Sequence, residues 1–277
     1  MPELPEVELV ARALDGLVAA RRVVAAKLLR AGLAPDTPPA LFARALRGRR
    51  IERVTRRGKH ILFEFEGARV LIAHLRMTGR FTLHPPEAPL PKHTHAVFYL
   101  DDGRRLVFSD QRHFGMMKLV GAAELTDTKE LRLLAPEPFS GDFTPLYLRA
   151  TFARTRRTLK ETLLDQRKVT GLGNIYAAEA LFLARINPFG VAAELSPRRL
   201  PRLHRAILDV FNEAIAHGST MNVDPENIEG SYYEGGFHGR WRVYDREAEP
   251  CLQCRAPIRR LTHAGRSTYF CPRCQRS

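Results

Sequence analysis

Residues 49–75 read RRIERVTRRGKHILFEFEGARVLIAHL. Apolar and polar side chains alternate through RRIERVTR, KHILFEFEG and ARVLIAHL, the period of strands with one buried face. Gly58 and the pair Glu66-Gly67 mark the reversals, because glycine enters turn conformations that other residues resist. The same alternation continues in RFTLH, HAVFYLDD and RRLVFSD, separated by the proline-rich HPPEAPLP and by Asp102-Gly103. Six or more short strands with short connections predict a two-layer sheet structure. This sheet domain is placed at residues 1–130.

Upstream, MPELPEVE (1–8) leads into VELVARALDGLVAA, which has helical periodicity. Pro5 lacks an N–H and restricts the residue before it, so the octapeptide is a poor helix nucleus. It reads either as an irregular arm before the helix or as a chain end that is itself a reagent. It has neither the basic start nor the apolar core of a targeting peptide.

Downstream, LAPEPFSGDFTP (134–145) reads as a linker. From Pro145 to Gly218 the period turns helical, in TRRTLKETLLDQ, NIYAAEALFLARI and SPRRLPRLHRAILDVFNEAIAHG. Ser196-Pro197 is the N-cap pattern and Gly218 the terminator. In KVTGLGNIYA, Gly171 and Gly173 allow a tight turn that delivers Asn174 to a helix start, where backbone N–H groups favour phosphate.

The chain has 277 residues, of which 44% are hydrophobic and 27% charged, an ordinary globular mixture. No apolar run approaches the ~20 residues that span a bilayer, which predicts a cytoplasmic protein. The net charge of +14 suggests a polyanionic partner, with simple solubility charge as the alternative. A membrane surface would call for a basic amphipathic helix or a lipidation motif, and neither is evident.

All four cysteines, Cys251, Cys254, Cys271 and Cys274, lie near the C-terminus in the pattern C-x2-C-x16-C-x2-C. Paired knuckles suit one tetrahedral Zn²⁺ held by four thiolates; four protein ligands close the coordination, so the metal is structural. Disulfides are the alternative, disfavoured in a reducing compartment. Between the knuckles, RAPIRRLT and RSTYF read as two strands turning at His263-Ala264-Gly265. The resulting hairpin carries Arg259, Arg260 and Arg266 as a probe for phosphates.

These pieces together resemble the bacterial formamidopyrimidine-DNA glycosylase family, with its endonuclease VIII relatives. The resemblance rests on MPELPEVE, GKHILFEF, HLRMTGRF, KHTH, SDQRHFG, APEP, LLDQRKVTGLGNIYAAEALF, Asn187-Pro188 and GRSTYFCPRCQ. It implies an α+β chain: an N-terminal β-sandwich with flanking helices (1–130), a helix-two-turns-helix domain (131–222), and a lesion-loop region with a four-cysteine zinc-finger hairpin (223–277). The implied activity is excision of oxidised purines from double-stranded DNA by a monomer, followed by strand nicking at the abasic site. An endonuclease VIII-like enzyme for oxidised pyrimidines is the alternative within the family.

The resemblance also implies roles. Met1 is removed and Pro2 becomes a secondary amine that attacks the sugar C1′. A terminal amine has a reference pKa of ~7.7–8.0, so an appreciable fraction is neutral near pH 7. Glu3 is the general acid–base, and Glu6 a supporting carboxylate or simply an acid at a helix N-terminus. Lys59 contacts the lesion phosphates and donates a proton in β-elimination, and Arg266 assists δ-elimination. Met77, Arg112 and Phe114 fill the void left by the extruded nucleotide. His93, Arg112, Arg156, Lys160 and Asn174 are DNA contacts.

The stretch STMNVDPENIEGSYYEGGFHGRWRVYDREAEP (219–250) departs from the family pattern. It carries Tyr232, Tyr233 and Phe237, and has Asp245 and Ala248 where glycines are usual. A reading from another class is a non-enzymatic, zinc-stapled protein that only binds damaged DNA. A binder has no need of a free amine at Pro2.

Overall fold

In the computed structural model, residues 1–227, 235–236 and 240–276 are described; Tyr232, Tyr233 and Phe237 lie outside them. The chain forms two compact units, Met1–Arg132 with Gly218–Gly236, and Leu133–His217 with Phe237–Ser277.

The first unit is a β-sandwich. One antiparallel sheet has the order β1 (Val23–Leu28), β6 (Thr94–Leu100), β7 (Arg105–Asp110), β5 (Gly79–His84). The other has the order β2 (Ile51–Arg57), β3 (His60–Phe65), β4 (Arg69–His74), β8 (Met116–Gly121). Phe63 of the second sheet meets Phe81 of the first at 5.2 Å between ring centroids, and Phe81 meets Phe108 at 5.0 Å. These rings belong to one continuous core with Ile61, Leu71 and Phe98, as the alternation requires. Strands β1 and β8 and the helix α2 (Pro39–Leu46) are additions to the sequence reading.

The opening segment is more regular than an arm. Helix α1 runs Leu4–Val18, with Pro5 in its first turn, where a missing N–H costs nothing. Leu4, Val7, Ala11, Leu14 and Val18 form the helical stripe it buries.

Topology gathers four features at one end of the sandwich. The β2–β3 reversal is the two-residue turn Gly58-Lys59, in which Gly58 takes φ +58°, as the first position of a II′ hairpin requires. Strand β4 runs back towards that end, with Ile61 opposite Ala73. From there the chain crosses to the other sheet through Leu75–Thr78. It returns from β7 to β8 through Gln111–Gly115 beside it, because Gly79 pairs with Asp110 and His74 with Met116.

The second unit holds α3 (Pro145–Phe152), α4 (Leu159–Leu164), α5 (Asn174–Leu183) and α6 (Leu200–Ala216), with the hairpin β9 (Arg259–His263) and β10 (Arg266–Phe270). Thr144 caps α3 by accepting Tyr147 N–H at 3.0 Å. The segment expected as a linker is packed: Ala135 and Phe143 are buried, and Ala135 carbonyl accepts the Thr170 hydroxyl at 3.0 Å. Ser196 makes no capping bond; it precedes a 3₁₀ turn, Pro197–Arg199, and α6 starts at Leu200. Helix α6 ends before Gly218, which takes φ +84°. Among the described residues no helix is long and apolar enough to cross a membrane.

Candidate active site and nucleic-acid interface

Within the first unit, Pro2, Glu3 and Glu6 are buried while Met1 is half exposed. Glu6 Oε2 accepts the Glu3 N–H at 2.8 Å. Glu6 Oε1 accepts the Thr220 hydroxyl at 2.9 Å. One carboxylate thus fixes both the backbone at Glu3 and the start of the segment that follows Gly218. Pro2 and Glu6 open onto a small cleft shared with Leu75, Gly79, Met221 and Asn222. Gly79 is obligatory there: a Cβ would stand 2.4 Å from Leu75 O.

Lys59, at the II′ turn, is 5% exposed. Beneath it His60 and His74 meet edge to face at 4.7 Å, and His74 Nδ1 accepts Arg76 N–H at 2.9 Å. Burial, with the nearby Arg76 charge, pushes His60 down to about 4. Burial and the neighbouring His60, Arg76 and Lys59 push His74 to about 2. Both rings are neutral at pH 7, so they add no charge beside Lys59.

The three void-filling candidates are brought together. Met77 and Phe114 are 37% and 55% exposed, so both apolar tips are open to solvent. The Arg112 guanidinium spans them, with Nη1 at 2.9 Å from Met77 Sδ and Cζ 5.1 Å from the Phe114 ring centre. His93 sits alongside, its ring 5.5 Å from that of His113, at a left-handed φ of +60°.

In the second unit, Lys160 and Asn174 converge on one carbonyl. Lys160 Nζ donates to Ser267 O at 2.8 Å and to Thr268 Oγ1 at 2.7 Å; Asn174 Nδ2 donates to Ser267 O at 3.0 Å. Lys160 is 1% exposed, so its visible role is to brace the hairpin one residue from Arg266. Gln166 closes the turns between α4 and α5, accepting Gly171 N–H at 2.9 Å and donating to Leu172 O at 2.8 Å. The loop residues Ala264 and Gly265 both have positive φ, the I′ pattern that matches strand twist. Arg266 and Arg259 are exposed beside this turn and along β9. Arg260 is engaged instead, with Ser267 Oγ at 3.0 Å and Glu247 at 3.4 Å. Arg156 is exposed in the loop before α4.

Cys251, Cys254, Cys271 and Cys274 place their sulfurs within 4.8 Å of one another. Four thiolates at a Zn–S length of ~2.3 Å stand roughly 3.8 Å apart in a tetrahedron, and the set fits. This is a closed site for one structural zinc, whose contribution is to hold β9 and β10 against the knuckles.

Ser267, Thr220 and Asp110 escaped the sequence reading. The first acts through a backbone carbonyl, and the other two meet their partners only through the folded register.

The match to known proteins follows the same division. The formamidopyrimidine-DNA glycosylase N-terminal domain matches residues 1–117 and its H2TH domain residues 134–224. A zinc finger found in FPG and IleRS matches residues 248–276. The formamidopyrimidine-DNA glycosylase of Symbiobacterium thermophilum is 44% identical over 99% of this chain and 89% of its own length. That of Bacillus subtilis is 40% identical over 99% of both. Among solved structures, the Lactococcus lactis Fpg in complex with DNA containing an abasic site has a TM-score of 0.91 at 31% identity, covering 99% of this chain and 100% of that one. The same protein with DNA containing Fapy-dG gives the same TM-score of 0.91 and 31% identity over 99% and 100%. With all three of its parts matched in order, the chain belongs to the formamidopyrimidine-DNA glycosylase family.

Proposed function

We propose that this chain excises oxidised purines from double-stranded DNA and then cleaves the strand at the abasic site, as a base-excision-repair glycosylase and lyase. The observation that carries the reading is the exposed Met77–Arg112–Phe114 wedge, on the same unit as the buried Pro2–Glu3–Glu6 chain end. A protein that unstacks a base needs the wedge; one that only binds DNA has no use for the rest.

With Met1 attached, the Pro2 nitrogen is an amide with no free electron pair. Loss of Met1 leaves a secondary amine. Its electron pair forms a bond to C1′ as the damaged base departs with its bonding pair, the nitrogen's proton passes to the departing base, and Glu3 donates the proton that the ring oxygen takes up as the sugar opens. Loss of the ring oxygen from C1′ leaves an iminium. The iminium acidifies the 2′ hydrogen, and its removal expels the 3′ phosphate. Lys59 serves the elimination as a proton donor at the lesion phosphates. Arg266 binds the flanking phosphates for the second elimination. Hydrolysis of the iminium frees Pro2.

Met77, Arg112 and Phe114 occupy the void while the nucleotide is extruded. His93 and Arg156 contact phosphates, with Lys160 and Asn174 acting through the hairpin they hold. The three functional parts are residues 1–130, 131–222 and 223–277. The work is done by a monomer in the cytoplasm, at the nucleoid.

The test is borohydride trapping on duplexes carrying 8-oxoguanine, a formamidopyrimidine, an oxidised pyrimidine or no lesion. A covalent adduct through a peptide beginning at Pro2, strongest with the oxidised purines, is expected. No adduct with any lesion would overturn the lyase reading; preference for the pyrimidine would move the chain to the endonuclease VIII type of activity.

A further inference from the structure

The wedge residues stand on two separate loops, Met77 on one and Arg112 with Phe114 on the other. A carboxylate joins the loops. Asp110, the last residue of β7, is 1% exposed. Its Oδ1 accepts the Thr78 hydroxyl and, at 3.2 Å, the Arg112 N–H. Its Oδ2 accepts the Gly115 N–H at 2.6 Å. The Thr78 hydroxyl in turn accepts Arg112 N–H at 3.1 Å. One acid therefore ties the residue after Met77 to both ends of Arg112–Phe114.

We infer that Asp110 is the positioning residue of the wedge, with Thr78 its relay, and that it sets how efficiently the protein unstacks a damaged base. The inference rests on the void-filling reading of Met77, Arg112 and Phe114.

The physical case has three steps. A half-exposed apolar tip is held only loosely by its own packing, here chiefly the Arg112 guanidinium between Met77 and Phe114. A wedge acts only if it is held rigid while the stack is broken, since a loose loop yields instead of the DNA. Hydrogen bonds to a buried charged acceptor are the strong kind, and here they converge on two short loops. Burial works to raise the Asp110 carboxyl, but the donors from Thr78, Gly115 and Arg112 outweigh it and hold the group below the usual carboxylate range. The carboxylate is thus ionised throughout the working pH range. The loop also sits close on the core at this point: a Cβ on Gly115 would stand 2.7 Å from Phe108, so the position takes no side chain.

The experiment uses the full chain, with Asp110→Asn, Thr78→Val, Thr78→Ser and, as the control on the wedge itself, Phe114→Ala. In Asp110→Asn, either orientation of the amide sets an NH₂ against a donor. Three quantities are read: single-turnover excision of an oxidised purine from duplex DNA, fluorescence of 2-aminopurine placed beside the lesion, and borohydride trapping on a preformed abasic site. Asp110→Asn and Thr78→Val are expected to slow excision by about tenfold to a hundredfold, the scale of one hydrogen bond to a charged group. They delay the fluorescence rise, leave trapping on the abasic site within about threefold, and Thr78→Ser restores wild-type behaviour. If Phe114→Ala is slow but Asp110→Asn and Thr78→Val match wild type, the Asp110 assignment is wrong. Equal losses on both substrates would make Asp110 a general stability residue and overturn it too. An unchanged Phe114→Ala would instead remove the wedge reading beneath it. Should Asp110→Asn fail to fold, Thr78→Val against Thr78→Ser decides.

Discussion

Glu6 accepts the backbone N–H of Glu3 at 2.8 Å, and does so from a site only 1% exposed. The same carboxylate takes the Thr220 hydroxyl on its other oxygen. A group with both oxygens committed to donors is not free to shuttle protons; its contribution is to fix the chain end. Replacing Glu6 with Gln sets an amide N–H against one of those donors. The expected cost is about 1–3 kcal/mol of stability, with slower excision and unchanged affinity for undamaged duplex. Denaturant melts and binding isotherms check this; a Glu6→Gln protein as stable as wild type would contradict it.

The neutral pair His60–His74 makes the first unit acid-labile. In the unfolded chain each imidazole takes a proton near pH 6.5, whereas the folded rings resist until about 4 and about 2. Below ~6.5 the unfolded state therefore binds more protons, and stability falls as pH falls. At about pH 5 the loss is roughly 2 kcal/mol per ring, from 1.36 kcal/mol per pKa unit. His60→Phe should flatten the dependence between pH 7 and 5. Melts with the same slope for both proteins would show that His60 does not carry it.

Asp245 and Ala248 stand where the family pattern has glycines, and the structure supplies the reason for the pattern. Their φ values are +57° and +66°, in the left-handed region. Aspartate tolerates that conformation, and Asp245 also accepts the Tyr269 hydroxyl at 3.3 Å. Alanine has no such compensation. Ala248→Gly is expected to stabilise the protein by about 1 kcal/mol, net of the added backbone entropy, and Asp245→Gly to gain less. A lower melting temperature for Ala248→Gly would contradict this.

These two positions show how far the sequence reached. The departure from glycine was visible; the strain was not, because φ is a property of the folded loop. Apolar-rich runs between turn residues exposed the strands from Ile51 to Asp110, but the single buried face expected of them did not hold: β3 to β7 are buried on both faces over most of their length. Strand β1 was missed, because its VVAAKL has small residues in place of a clear apolar face, as was α2, only eight residues long. The set of four cysteines was legible because metal geometry dictates spacing along the chain. The Asp110 staple was not, because it depends on Gly79 pairing with Asp110 across two strands.

Zinc should act through the hairpin it holds, which presents Arg266 to the flanking phosphates for binding and for the second elimination. The four sulfurs anchor β9 and β10, and the Ser267 carbonyl then meets Lys160 and Asn174 one residue from Arg266. One zinc per chain is expected by metal analysis. Cys271→Ala should weaken binding to lesion DNA by about tenfold or more, consistent with loss of an ordered phosphate contact. A metal-free protein with full strand-nicking activity would refute the role.

The chain end offers the sharpest separation of roles. Pro2→Gly keeps a terminal amine once Met1 is removed, but a primary one on a freer backbone. It should still form a Schiff base, more slowly. Glu3→Gln keeps the secondary amine and loses the acid. The wedge residues and the hairpin are unaltered, so it should bind lesion DNA nearly as well as wild type. Excision should fall by about 10²–10⁴, the usual scale of general acid–base catalysis. Glu3 is 2% exposed, so water is a poor substitute for it as proton donor. Borohydride trapping on two substrates distinguishes the steps. On an intact oxidised purine, Glu3→Gln should trap far less than wild type, because a base must leave. On a preformed abasic site it should be less impaired, because none must. Equal trapping of the intact lesion by both proteins would take Glu3 out of base excision. A Pro2→Gly protein indistinguishable from wild type on both substrates would mean that the rigidity of the Pro2-Glu3-Leu4-Pro5 path contributes nothing to holding the amine in line with C1′.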